Sequence, residues 1–437
     1  MTSSEWPKTL PEWRNRCFKP EDSWPYDLWK PEPLQNFFRE HGYHLWVTMH
    51  DRGLGDDHHH HLALIPPNEE PRRPDGYTFV TCYQCEPGII IHRPNFIQLR
   101  NIHCAVRTIH NQDVLIRLIS INGDATGDEH YKAIRRLSQG QTAYRGDNYA
   151  LPLLNELEFN GLRFVVFPLL SIGYIPWFYN VDEILDYLVQ VFKGVKFCHD
   201  NLIAHLDLDS DNILFNFLGA RTMLTGIRNL MPLVHFDLIS LSDTISTISK
   251  PQFVSMRTQI LGVGKLLAYP PTDWVQLKDT IVGNTPEMLT GDPYCPFKAD
   301  VWYLGRMLHR NMEEAVKGFV EKHLKSLRDD FSFDDVFGKS FTQDAIQSED
   351  IIHIFDEFTG KINVDQSFPK DTLKMALSLL TTIAQMGSSN LDLRPSLSQL
   401  LDSVVEMRRN CPPAVLSDYI GTERKAVVGE MVDLSGL

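Results

Sequence analysis

The 437-residue sequence predicts an α+β fold, in which a small β-rich region leads into a larger, mainly α-helical one. Two textures in the chain carry that prediction. Between Tyr77 and Leu170, short apolar and β-branched runs (YTFVTCY, GIIIH, VLIRLIS, LRFVVFPLL) have the length and composition of strands. Beyond Leu170 apolar residues recur at helical spacing. With 43% hydrophobic residues, the chain can fill the core of one large or two ordinary domains.

Residues 1–76 are rich in Trp, Pro and charge without a sustained period, and PPNEEPRRPDG (Pro66–Gly76) closes them like a boundary. They are expected to form an N-terminal extension. Within it, GDDHHHHL (Gly55–Leu62) is expected to be a solvated loop, because four consecutive histidines cannot all face one metal. Residues 77–170 form the β-rich unit, with one helix expected over DEHYKAIRRLSQG. Cys82 and Cys85 have C-x-x-C spacing, but no second pair completes a structural zinc site, so a strand carrying two thiols is expected.

Residues 171–405 form the helical unit. In NVDEILDYLVQVFKGVKFCHD, Ile184, Leu185, Leu188, Val191, Phe192 and Val195 share one helical face, and Asn180 with Glu183 three positions on makes a capping-box pattern. MALSLLTTIAQMG and SLSQLLDSVVEM are further helices, and residues 406–437 form a tail.

A net charge of −14 and a pI near 5.6 exclude broad electrostatic attraction to nucleic acid or anionic lipid, leaving room only for a local basic patch. No stretch reaches the roughly 18 apolar residues of a membrane span, and the N-terminus lacks the apolar core of a signal peptide. A soluble intracellular protein, cytoplasmic or nuclear, is expected. The seven cysteines are scattered, which predicts reduced thiols rather than a disulfide framework.

One stretch carries chemistry. HLDLDSDNIL (His205–Leu214) sets a carboxylate two residues after a histidine and an amide five residues further on. Phosphoryl transfer from ATP needs a carboxylate near the attacking hydroxyl and hard oxygen ligands for Mg²⁺. The stretch resembles the catalytic loop H-R-D-L-x-x-x-N of protein kinases, and LVHFDLIS downstream resembles the strand and D-F-G turn of that family. Further landmarks follow in the family's order. NTPEML resembles its A-P-E element (Thr285, Pro286, Glu287), KADVWYLGRMLH its D-x-W-x-x-G segment (Asp300, Trp302, Gly305), and LDLRPSLSQLL its late R-P-S segment (Arg394). The resemblance covers about residues 80–405 and is similar to kinase-like proteins abundant in basidiomycete fungi.

This resemblance implies a bilobal protein-kinase-like fold with ATP and Mg²⁺ as cofactors and a protein substrate or binding partner. By position, Asp207 is the catalytic base, and Asn212 and Asp237 are the metal ligands. Arg117 in VLIRLI stands where the family's phosphate-holding lysine would be, with Glu129, or Asp128, as its partner on the N-lobe helix. Phe167 takes the gatekeeper position, and Pro168 and Leu170 line the adenine site, the first offering a carbonyl and the second an amide. Arg394 is expected to pair with Glu287.

Departures from the pattern point to a second class of function. Arg117 is planar and longer than lysine, and NFIQLRNIHCAVRTIHN, which leads into its strand, holds no glycine to cradle phosphates. Leu206 replaces the catalytic-loop arginine, Asp209 the usual lysine, and Leu238–Ile239 the Phe-Gly of D-F-G. These changes suit a pseudokinase that keeps the fold and binds a partner with little or no nucleotide.

Overall fold

The computed structural model describes residues 6–15, 28–48, 63–67, 79, 96–97, 102–122, 127–143, 145–172, 180–206, 208, 212–216, 233–236, 285–290, 294–338, 348–362 and 368–417. They divide into two compact units, the first holding residues up to Ile172 together with those from Leu214 to the following strand, the second holding the rest. Strand and helix content is mixed, as an α+β fold requires.

In chain order, the first unit contains helices α1 (Leu10–Asn15) and α2 (Glu32–Glu40), then strands β1 (Tyr43–Leu45), β2 (Val47–Thr48), β3 (Ala63–Ile65), β4 (Phe96–Ile97), β5 (His103–Thr108) and β6 (Asp113–Ile121). Helices α3 (Asp128–Ser138) and α4 (Gly140–Ala143) follow, then β7 (Asn155–Phe159), β8 (Leu162–Pro168) and β9 (Ser171–Ile172). The main sheet is five-stranded and antiparallel in the order β1-β5-β6-β8-β7. Strands β2, β3 and β4 make a small second sheet. The third runs β11-β10-β9 and includes β10 (Ile213–Asn216) and β11 (Leu233–Phe236).

The central strand β6 is buried along its whole length, because both faces of the sheet are covered. Alternation assigns the faces. Leu118, Phe164 and Leu157 lie in register on one face, where Phe164 meets Trp29 at 5.7 Å and Phe38 at 5.1 Å between ring centroids. Trp29 in turn packs against Trp13 and Phe38, and all three of these rings are fully buried. His103, Arg117, Val165 and Glu156 share the opposite face, and α3 is tied there by the Tyr131 hydroxyl, which donates to the Glu156 carboxylate. Gly127 lets α3 begin hard against β6, since a Cβ there would lie 2.0 Å from the Ile119 carbonyl oxygen.

Residues of the expected N-terminal extension are thus part of this unit. Tyr43–Leu45 supplies the edge strand β1, paired with β5, and Asn155 on β7 donates to the Tyr43 hydroxyl at 2.9 Å. Trp13 and Trp29 show no strand-like alternation in sequence because they sit on helical turns that cover a sheet face.

The second unit is helical: α5 (Val181–Asp200), α6 (Pro286–Thr290), α7 (Pro296–Lys325), α8 (Ser348–Gly360), α9 (Lys370–Met386), α10 (Leu397–Asn410) and α11 (Pro413–Leu416). Helix α5 begins as expected, with the Asn180 side chain accepting the Glu183 amide at 3.0 Å, and its six face residues are all buried. Helix α10 has a complete capping box between Ser396 and Gln399. Gly305 lets α7 and α9 approach, because a Cβ there would stand 2.6 Å from that of Met386.

Candidate functional site

Helix α5 delivers the chain to the candidate catalytic loop. At its C-terminus the Leu202 amide donates to the His199 carbonyl at 2.8 Å and the Ile203 amide to the Cys198 carbonyl at 2.9 Å, with Leu202 in the left-handed region at φ 60°. Residues 203–206 are then buried. Leu206 is left-handed again at φ 61°, a conformation that costs a residue with a Cβ about 1–2 kcal/mol.

One carboxylate holds this loop. Asp300 on α7 is wholly buried and accepts three hydrogen bonds: the His205 amide at 2.7 Å, the Leu206 amide at 2.6 Å and His199 Nε2 at 2.8 Å. A buried carboxylate is costly unless its lone pairs are used, and here backbone and imidazole donors use them. The strained turn at Leu206 is therefore fixed by charge-assisted bonds one residue before Asp207. Burial pushes the neighbouring Cys198 thiol up to about 12, and the Asp300 carboxylate adds in the same direction.

The second expected pair is present. Arg394 donates to both Glu287 oxygens, at 2.6 and 2.8 Å, and also to the Ser388 carbonyl at 2.6 Å and the Lys298 carbonyl at 3.2 Å. Arg394 is 1% exposed and Glu287 9%. Lys298 closes the cluster by donating to the Arg394 carbonyl, and burial lowers its pKa.

Of the candidate metal ligands, Asn212 is half-buried immediately ahead of β10. Asp207, Asp237, Asp209, Leu238 and Ile239 lie outside the described residues, as do Cys82, Cys85 and the histidine run His58–His61. The oxygen donors Asn212 and Asp237 suit a hard cation such as Mg²⁺.

In the first unit, Arg117 lies on β6 opposite Val165 and His103, 1% exposed. Its face is the one that α3 covers, and Glu129 is the second residue of α3, so the topology brings the two candidate partners to one side of the sheet. Phe167 and Pro168 end β8, paired with Leu115 and Val114, and Leu170 is buried just beyond. The Leu169 amide donates to the Asp113 carbonyl at 3.3 Å, whereas among the described residues the backbone bonds include none from the Leu170 amide.

Sequence reasoning missed His199 and the full role of Asp300. A histidine in the last turn of an amphipathic helix carries no distinguishing signal, and the segment containing Asp300 reveals only the residue type, not its three donors.

No protein-family model matches the chain, and no curated protein matches it either.

Proposed function

We propose that this chain is a protein kinase-like domain that binds ATP with Mg²⁺ and transfers the γ-phosphoryl group to Ser or Thr of a protein substrate. The observation that carries this reading is the buried Asp300 carboxylate gripping the His205 and Leu206 amides, so that the chain enters Asp207 from a left-handed residue. A solvated acidic loop has no need of such a clamp. A side chain that must meet a reacting hydroxyl within a fraction of an ångström does. The Arg394–Glu287 pair adds support, because it was expected from the family's order of motifs.

In this reading Asp207 accepts the proton of the attacking hydroxyl as its oxygen bonds to the γ-phosphorus. The bond from that phosphorus to the β–γ bridging oxygen breaks, and ADP leaves. Asn212 and Asp237 would hold Mg²⁺, which when bound neutralises charge gathering on the phosphoryl oxygens. Arg117 would contact the α and β phosphates, and Pro168 and Leu170 would meet adenine.

A second reading, a pseudokinase that binds a partner, is favoured by the strand neighbouring β5 in the sheet. That neighbour is β1, so the turn that would cover phosphates is replaced by a connection running from residue 46 to 102. Calorimetric titration with ATP, with Mg²⁺ and with both separates the two readings. Binding strengthened by Mg²⁺, with transfer of γ-labelled phosphate to a degenerate Ser/Thr peptide library that Asp207→Asn abolishes, supports the kinase. No binding at millimolar nucleotide supports the pseudokinase.

A further inference from the structure

We propose that His199 is a positioning residue for the candidate catalytic loop, setting the aim of Asp207 through the carboxylate of Asp300. Its effect on phosphoryl transfer rests on the reading above; its hold on the loop does not. His199 lies in the last turn of α5, and its Nε2 stands 2.8 Å from the Asp300 carboxylate on α7, 101 positions further along the chain. The carboxylate is wholly buried and the imidazole is 13% exposed. An ionised carboxylate only accepts, so the contact places the neutral ring's proton on Nε2.

Three donors share this carboxylate, and they are not equivalent. The Leu206 amide meets Oδ1 at 2.6 Å, while the His205 amide, at 2.7 Å, and His199 meet Oδ2. The two amides belong to the loop being held. His199 is the donor that comes from α5, so it ties the carboxylate to the helix that delivers the chain. With the loop's own amides as its partners and no third donor, the carboxylate would be free to turn about its Cβ–Cγ bond and carry the loop with it. The imidazole N–H fixes the plane of the group, and bonds to an ionised acceptor are the strong ones.

Further contacts fix the ring itself. Phe297, one turn before Asp300 on the same helix, packs its ring 4.7 Å from the imidazole centroid at 48°. The backbone of His199 is used as well, its carbonyl accepting the Leu202 amide at 2.8 Å. Leu202 and Leu206 are both left-handed, at φ 60° and 61°. That conformation is costly for a residue with a Cβ and persists only where its surroundings over-determine it. His199 acts at both points, directly at Leu202 and through Asp300 at Leu206, and residues 203–205 between them are buried. Removing the ring's donor therefore loosens the left-handed turn one residue before Asp207, where a small change of direction displaces a carboxylate that must meet a hydroxyl.

The test uses two variants of the full chain. His199→Phe keeps a ring beside Phe297 but has no N–H, whereas His199→Gln keeps an N–H donor near the reach of Nε2 but has no ring. Hydrogen exchange of the His205 and Leu206 amides is read first, because it needs no activity. Exchange is expected to be about tenfold or more faster in His199→Phe, as follows from losing a hydrogen bond to a charged group, and close to wild type in His199→Gln. Amides of α9 and α10 should exchange as in wild type in both. In phosphoryl transfer, kcat should fall about tenfold or more in His199→Phe with KM for ATP within about twofold, and His199→Gln should restore most of it. Unchanged exchange at positions 205 and 206 in His199→Phe, equally fast exchange in His199→Gln, or acceleration spread over α9 and α10 would overturn the proposal. So would a loosened loop with kcat intact. No transfer by the wild-type chain overturns the kinase reading alone, and the exchange comparison then still decides whether His199 holds the loop.

Discussion

Arg394 and Glu287, 107 positions apart in sequence, meet in a bidentate ion pair with N–O distances of 2.6 and 2.8 Å and almost no exposure to solvent. Removing one member leaves the other charge buried, a change that typically costs about 3–5 kcal/mol. Arg394→Ala should cost more than Glu287→Ala, because Arg394 also satisfies the carbonyls of Ser388 and Lys298. Urea unfolding of the two variants checks this order. Equal midpoints with wild type would mean that the pair is open in solution.

Asp300→Asn is expected to destabilise the loop before Asp207. The amide keeps one acceptor oxygen and turns an NH₂ toward a region that now holds three donors, from His199, His205 and Leu206. Hydrogen bonds to a charged acceptor contribute about 1.5–3 kcal/mol each, so a loss of at least about 2 kcal/mol should appear in denaturant unfolding. If phosphotransfer is present, its kcat should fall with KM for ATP little changed, because the carboxylate aims Asp207 rather than touching nucleotide. A fall in stability with kcat intact would remove the positioning role.

What the sequence revealed and what it hid divide along physical lines. VLIRLIS became β6 because it is a short apolar and β-branched run of strand length, and DEHYKAIRRLSQG and NVDEILDYLVQVFKGVKFCHD became α3 and α5 because each carries a helical period that one face of packing explains. Tyr43–Leu45 was not legible as a strand, since three residues are too few to display alternation and their partner, β5, is some sixty residues away. Trp13 and Trp29 lie in a stretch of Pro and charge that shows no period, while Trp29 packs on Phe164, far along the chain, and Trp13 on Trp29. The Glu287–Arg394 pair was legible only through the resemblance, as no local rule links positions so distant.

Residues before β1 should prove indispensable to the first unit. Trp29 is fully buried between Trp13, Phe38 and Phe164, and truncating such a side chain to alanine costs about 3–5 kcal/mol. Trp29→Ala should therefore lower the thermal midpoint sharply, and a chain starting at Tyr77 should fail to fold. A truncated chain with native circular dichroism and an unchanged midpoint would make the N-terminal region an appendage.

Stability should fall at alkaline pH. Burial pushes the Cys198 thiol up to about 12 and holds Cys104 well above its ordinary range. The unfolded chain releases these protons near pH 8.5, so above that the native state binds more protons and is progressively disfavoured, by about 1.4 kcal/mol per pH unit for each thiol. The stabilisation is complete below the unfolded pKa and drains away as pH rises toward the folded one. Urea midpoints between pH 7.5 and 10 should decline, and Cys198→Ala should make that decline shallower. An unchanged slope in the variant would mean that the thiol ionises in the native state.

On the proposed kinase-like reading, Leu206 takes the place of an arginine that reads a phosphorylated activation segment, and its burial explains why an apolar residue suits this chain. Its side chain is 2% exposed, so it is part of the core. Leu206→Gly would relieve the left-handed strain, about 1–2 kcal/mol, but forfeit roughly 1.5–3 kcal/mol of burial, leaving a small net loss. Leu206→Arg would place a guanidinium in that buried position, where the Asp300 carboxylate already accepts from His199, His205 and the residue 206 amide, and should be the more damaging change. A phosphate on the segment between Asp237 and Glu287 therefore has no cation to meet at position 206. ATP binding and any autophosphorylation should be unaffected by prior phosphatase treatment of the protein. A large loss after treatment, restored by a kinase acting in trans, would show that another cation has taken over the arginine's task.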